Sequence, residues 1–126
     1  MSIPENLKYS KTNEWLSAAG ESSAKIGLTD FAQKRMGGIV FVDLPNVGDT
    51  VAAGQSFGDV ESTKAAFELI SPVSGIVEAI NEEVLNEPEK INSAPYESWL
   101  IEVSGITSQI EMMDADVYGS ACMGDE

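Results

Sequence analysis

Apolar residues in this chain come in short runs, broken at close intervals by glycine, proline and polar clusters, a pattern that predicts strands rather than long helices. Residues 7–10 and 14–17 are short strand candidates joined by the polar turn Lys11-Thr12-Asn13. A hairpin turn over residues 18–21 leads into a strand at 24–28. Residues 39–44 form a continuous apolar run rich in β-branched and aromatic side chains and closed by Pro45. That run predicts a strand buried on both faces, or one curling within a barrel or sandwich. Residues 47–51 and 74–77 are turn-then-strand segments, and 99–103 is a closing strand. Proline, valine, glycine and valine recur in similar order over residues 44–51 and 70–77, a weak internal repeat that fits two related halves folded face to face.

One helix start stands out. Thr29 is a good N-cap, Asp30 sits favourably in the first turn, and Phe31, Ala32, Arg35 and Met36 give a short amphipathic face. Gly37 or Gly38 can end it, so the helix has about two turns at most. Residues 81–90 are acidic and interrupted by Pro88, which predicts a surface loop. A short helix is expected around 108–113, and residues 119–126 are expected to fray. The sum is a mostly-β sandwich or flattened barrel with one or two short helices, in a single domain spanning 1–126 with its core at about 7–118.

Composition narrows the function. The 126 residues are 43% hydrophobic, enough for one modest core, and no apolar run approaches membrane-spanning length. The N-terminal residues carry neither a secretory nor an Arg-rich transit pattern, so a cytoplasmic, bacterial-type protein is expected, a trimmed mitochondrial form being the alternative. The lone cysteine, Cys122, allows no internal disulfide or zinc cluster and is expected to be an incidental tail thiol. Histidine is absent, which removes Ser-His-Asp and Cys-His schemes and the usual neutral-pH general base. A chain without that chemistry takes part in catalysis as a carrier for other enzymes. The net charge of −14 is uneven: residues 1–64 hold eight acids and six bases, whereas 65–126 hold thirteen acids and only Lys90. Nucleic acid and anionic membranes are therefore poor partners, while basic patches on partner enzymes are good ones.

The candidate chemistry centres on Lys64. It lies in Val60-Glu61-Ser62-Thr63-Lys64-Ala65-Ala66, between the strand-like runs 57–61 and 67–70, with only small residues beside it. A modifying enzyme must admit the whole hairpin tip, so bulk next to the target is disfavoured. A rigid turn also lowers the entropy cost of presenting the amine.

Several strings in order resemble the glycine cleavage system H protein family. They are residues 26–33 (Ile-Gly-Leu-Thr-Asp-Phe-Ala-Gln), 38–45 (Gly-Ile-Val-Phe-Val-Asp-Leu-Pro), the Lys64 motif, Ser71-Pro72-Val73-Ser74-Gly75, Ile91-Asn92 with Pro95-Tyr96-Glu97, and Trp99-Leu100-Ile101. These strings span residues 26–101, within a resemblance that extends from about Leu7 to Tyr118. The resemblance implies a lipoyl/biotinyl-carrier-like fold, a barrel-sandwich hybrid, with lipoate joined as an amide to Lys64. Glu61, Ser62, Thr63 and Ala65 are then the hairpin residues that the lipoate-attaching enzymes recognise. It further implies a non-catalytic carrier in glycine catabolism and one-carbon metabolism. The arm takes an aminomethyl group from glycine decarboxylase (the P-protein), passes it to the aminomethyltransferase (the T-protein), and is reoxidised by dihydrolipoamide dehydrogenase (the L-protein). Positions matching the cleft that shelters the loaded arm are Thr12, Glu14 and Glu68, where carboxylates would pair with the carried amine. A monomer is expected of a carrier that visits several enzymes.

The chain departs from the family pattern at four places: Asn13 and Arg35 stand where histidine is common, Thr63 where valine is common, and Glu68 where aspartate is common. Thr63 preserves the shape of valine at an exposed turn, so lipoylation is expected to survive. A biotin carrier is the nearest rival architecture, but biotin acceptors flank the lysine with methionine, not Thr63 and Ala65. An H-like protein that donates lipoyl groups to other enzymes is the alternative use of the same Lys64.

Overall fold

The structure is a computed structural model that describes residues 2–18 and 22–124. Nine strands and four helices follow in the order β1 (Lys8–Tyr9), β2 (Glu14–Leu16), β3 (Ser23–Leu28), α1 (Asp30–Met36), β4 (Ile39–Asp43), β5 (Thr50–Val51), β6 (Ser56–Ser62), β7 (Ala66–Ile70), β8 (Val73–Ile80), α2 (Glu82–Asn86), α3 (Lys90–Ser93), β9 (Ile101–Gln109) and α4 (Ala115–Gly124), counted among the described residues. The strands form a six-stranded sheet, β1-β2-β3-β9-β8-β5, and a three-stranded one, β4-β6-β7. Among the described residues every pairing is antiparallel, and the ladders do not close into a barrel. One core joins the two sheets: Leu16, Ile26, Leu28, Val77, Ile101 and Val103 from the large sheet cluster with Ile39, Val42, Val60 and Leu69 from the small one. This is the mostly-β sandwich that the alternating runs predict. Of the weak repeat, one trace survives in space, since Thr50 and Val51 pair with Ile76 and Gly75.

The helix from Thr29 forms as expected. The Thr29 hydroxyl accepts from the Ala32 amide at 3.1 Å, and the Gly37 amide closes the last turn on the Gln33 carbonyl at 3.0 Å. Gly37 has φ +83°, the left-handed region where a side chain is strained.

Five expectations change. Strand β4 is buried on one face only: a bulge between Ile39 and Phe41 turns Val40 and Phe41 outward, 57% and 52% exposed. Residues 81–90 are not a plain loop, because Asn81 caps α2 through the Glu83 amide and the apolar Val84 and Ile91 of α2 and α3 are buried in the core. Residues 108 and 109 belong to β9 rather than a helix, since Ser108 and Gln109 pair with Ser74 and Val73. The segment expected to fray is helical to Gly124, because Tyr118 and Cys122, one turn apart, pack with Tyr9, Trp15 and Phe31. Cys122 is thus a buried packing residue, not a tail thiol. The Tyr118 and Tyr9 rings stack at 4.6 Å. The turn expected at 18–21 falls largely on residues 19–21, outside the described residues.

Candidate functional site

Strands β6 and β7 pair from Ser56↔Ile70 to Glu61↔Ala66, and the chain reverses over Thr63, Lys64 and Ala65. Ser62 shapes this tip. Its hydroxyl oxygen accepts from the amides of Lys64 at 3.1 Å and Ala65 at 3.3 Å, and its own amide donates to the Ala65 carbonyl at 2.9 Å. A side-chain oxygen bonding the backbone two and three residues on is what makes serine suited to a tight turn. Glu61, Thr63, Lys64 and Ala65 are exposed, whereas Ser62 is buried.

The tip is not free-standing. The Thr63 amide donates to the Gly38 carbonyl at 2.9 Å. The Lys64 stem lies over Gly37, and a Cβ there would sit in van der Waals contact with it, 3.4 Å from Lys64 Cε. Asn92 fixes Gly37 from behind: its side-chain nitrogen donates to the Gly37 carbonyl and to Gln33 Oε1, each at 2.9 Å, and its Oδ1 accepts from the Ile39 amide at 2.8 Å. One side chain thereby clamps the end of α1 and the start of β4, the two elements between which the lysine tip rests.

Beside the lysine, a cleft of about 290 Å³ opens between α1, the β1–β2 turn and β7, lined by Thr12, Asn13, Ala32, Arg35, Met36, Phe67, Glu68 and Ile70. It brings together two of the three expected cleft residues, Thr12 and Glu68. Glu14 does not line it. That side chain is only 1% exposed and sits behind Thr12, where its Oε1 accepts from the Thr12 hydroxyl and from the Ser10 hydroxyl, the latter at 2.7 Å. Its Oε2 accepts from the Ile70 amide at 3.2 Å. Burial pushes the Glu14 carboxyl above its usual value, against the pull of hydrogen bonds from Thr12, Ser10 and the Ile70 amide. The result is a desolvated carboxylate one hydroxyl away from the cleft. A cation entering the cleft would meet the Thr12 hydroxyl with this carboxylate behind it and the exposed Glu68 at the rim.

The two departures from histidine have their own roles here. Asn13 sits at φ 72°, a conformation that asparagine tolerates better than most residues. Its carbonyl accepts from the Thr29 amide at 3.1 Å, and its Oδ1 accepts from the Tyr118 hydroxyl at 2.9 Å, joining the β1–β2 turn to α1 and α4. Arg35 lines the cleft with its guanidinium carbon 5.2 Å from the Phe31 ring centroid. Sequence reasoning missed Ser10, which holds Glu14, and Asn92, which holds Gly37. Ser10 carried no signal of its own, whereas Asn92 did, since Ile91-Asn92 is one of the strings that resemble the family.

The comparisons with known proteins agree over most of the length. A family model described as "Glycine cleavage H-protein" matches residues 7–122. A glycine cleavage system H protein of Lachnoclostridium phytofermentans is 48% identical over 118 residues, 94% of this chain and 93% of the relative. That of Micrococcus luteus is 50% identical over 123 residues, 94% and 96% of the two chains. The crystal structure of a glycine cleavage system H protein from Mycobacterium marinum superposes with a TM-score of 0.89 at 35% identity, over 94% of this chain and 98% of that one.

Proposed function

The chain belongs to the glycine cleavage H-protein family, and on that premise we propose that it is a lipoyl carrier modified on Lys64. It shuttles an aminomethyl group between the P-protein and the T-protein and is returned to its oxidised form by the L-protein. The observation that supports this most is the placement of Lys64, exposed at a rigid tip of small residues whose anchor, Gly37, adjoins Met36 at the cleft mouth. Lipoate joined there would supply a dithiolane that accepts the carried group and is afterwards reoxidised.

The protein's own residues supply presentation and shelter. Ser62 and the Thr63–Gly38 bond hold the tip in one geometry. Phe67, Met36 and Ile70 give the cleft an apolar lining that excludes water. Thr12, Glu14 and Glu68 hold the carried ammonium group: Thr12 at the surface, Glu14 as the dry counter-charge, Glu68 as the exposed one. On this reading the chain acts as a non-catalytic substrate of its partner enzymes, as one monomeric carrier domain. Its bacterial relatives support a cytoplasmic place of action.

Reconstitution tests the reading. Purified P-, T- and L-proteins with glycine, tetrahydrofolate and NAD should form NADH only when the lipoylated chain is added. No NADH from the lipoylated chain would reject the shuttle role.

A further inference from the structure

The outer face of the small sheet is unusual. Its register sets Asp43, Asp59 and Glu68 abreast across all three strands, and Phe41, Glu61 and Ala66 in the next row toward the hairpin tip. All six side chains are exposed, Phe41 by 52%. None of the four carboxylates makes an ion pair among the described residues. Like charges directly opposite one another destabilise a sheet, and an aromatic ring left in water beside them gains nothing for the fold. Bulge geometry turns Val40 out as well, 57% exposed. The face therefore combines an apolar ridge, a four-carboxylate field and a position three residues from Lys64.

We propose that this face is the docking surface for the enzyme that joins the carrier group to Lys64, and that this enzyme offers an apolar pocket rimmed by basic residues. The proposal rests on the reading of Lys64 as the attachment site. Charge selects the occupant: a second copy of this chain would bring the same carboxylates and be repelled, whereas a basic surface relieves the row Asp43–Asp59–Glu68. Distance selects among basic enzymes. Those that work on the far end of a long arm need not approach the sheet. The attaching enzyme must bring its active site to the lysine nitrogen itself, and so must cover the strands that end there. Phe41, paired with Glu61 next to the tip, is the anchor, and the carboxylates steer and orient.

The test uses the full chain, purified unmodified, with a purified lipoate–protein ligase, lipoate and ATP, the product being read by mass at Lys64. Phe41→Ser is expected to raise KM for the chain about tenfold with kcat changed less than about twofold. Asp43→Asn with Asp59→Asn is expected to raise KM several-fold and to weaken its dependence on salt. Loaded to completion, the same variants should be reduced by dihydrolipoamide dehydrogenase at the wild-type rate, and neither should unfold at a lower temperature than the wild type, the Asp43→Asn/Asp59→Asn chain gaining stability from the lost repulsion. Wild-type KM in both variants, or a parallel loss in the dehydrogenase reaction, would overturn the docking assignment. A wild-type chain that stays unmodified at Lys64 would instead overturn the reading beneath it.

Discussion

The backbone amide of Thr63 donates to the carbonyl of Gly38 at 2.9 Å, tying the lysine tip to the segment that leaves α1. Through this bond and the Lys64 stem lying on Gly37, the hairpin borrows its rigidity from a helix end distant in sequence. Gly37 is glycine for its backbone, φ +83° with ψ −161°, a region that side chains rarely adopt, while the Lys64 stem, 3.4 Å from where a Cβ would be, would meet one in ordinary contact. Gly37→Ala is expected to cost about 1–3 kcal/mol in urea unfolding, the cost of holding a residue with a side chain in this sparsely populated backbone region. It is also expected to slow lipoylation of Lys64, because backbone strain at Gly37 shifts the adjoining Gly38 carbonyl to which the tip is tied. Unchanged stability would mean that the α1 terminus relaxes freely.

Asn92 is the positioning residue behind that anchor. Asn92→Ala leaves the Gly37 carbonyl, the Ile39 amide and Gln33 Oε1 without their partner, an expected loss of about 1–3 kcal/mol. A purely global effect would raise exchange of all amides together. The clamp predicts more: the Thr63 and Ile39 amides should exchange with solvent faster than the Val103 amide in the core under native conditions, as followed by NMR.

Glu14 sets a pH dependence. The folded chain holds the Glu14 proton more tightly than the unfolded chain does, because burial raises the carboxyl above its usual 4.5. Stability is therefore surrendered as pH rises from about 4.5 through the raised folded value, where the buried group must ionise. Glu14→Gln lacks this titration. Subtracting the variant's melting temperatures from the wild type's between pH 4 and pH 8 (a range chosen to span about four units) should give a difference that falls with pH. A flat difference would show that Glu14 ionises as easily folded as unfolded.

Packing gives a fourth outcome. Trp15 and Gly27 are cross-strand partners, and a Cβ on Gly27 would lie 2.4 Å from the Trp15 ring. Gly27→Ala must push the indole off the strand and break its hydrogen bond to the Pro95 carbonyl. A loss of about 1–3 kcal/mol and a red shift in tryptophan fluorescence are expected.

Much of this was legible in the chain, for reasons that differ by element. Strands β3, β6, β7 and β8 were readable because their apolar runs are bounded by turn residues. The α1 start was readable because Thr29 and Asp30 are local signals that need no tertiary context. The helix α4 was not, since two glycines and little charge give it poor propensity. It forms because Tyr118 and Cys122 dock on Tyr9, Trp15 and Phe31, a contact across the whole length of the chain. The later half of β9 is polar and exposed, held by pairing to β8 rather than by burial, so hydrophobic pattern could not find it. At the hairpin tip, Lys64 drew attention through its small neighbours, and the fold leaves it exposed there. The clamp of Asn92 and the backing of Glu14 by Ser10 were not legible, because each depends on where folding places a side chain of ordinary type.

The most direct measurement is the intact mass, with peptide mapping, of the chain made in lipoate-replete cells beside Lys64→Ala. A lipoyl increment confined to Lys64 and lost in the variant is the predicted result. An unmodified Lys64 under those conditions, or an increment that persists in the variant, would contradict the carrier account.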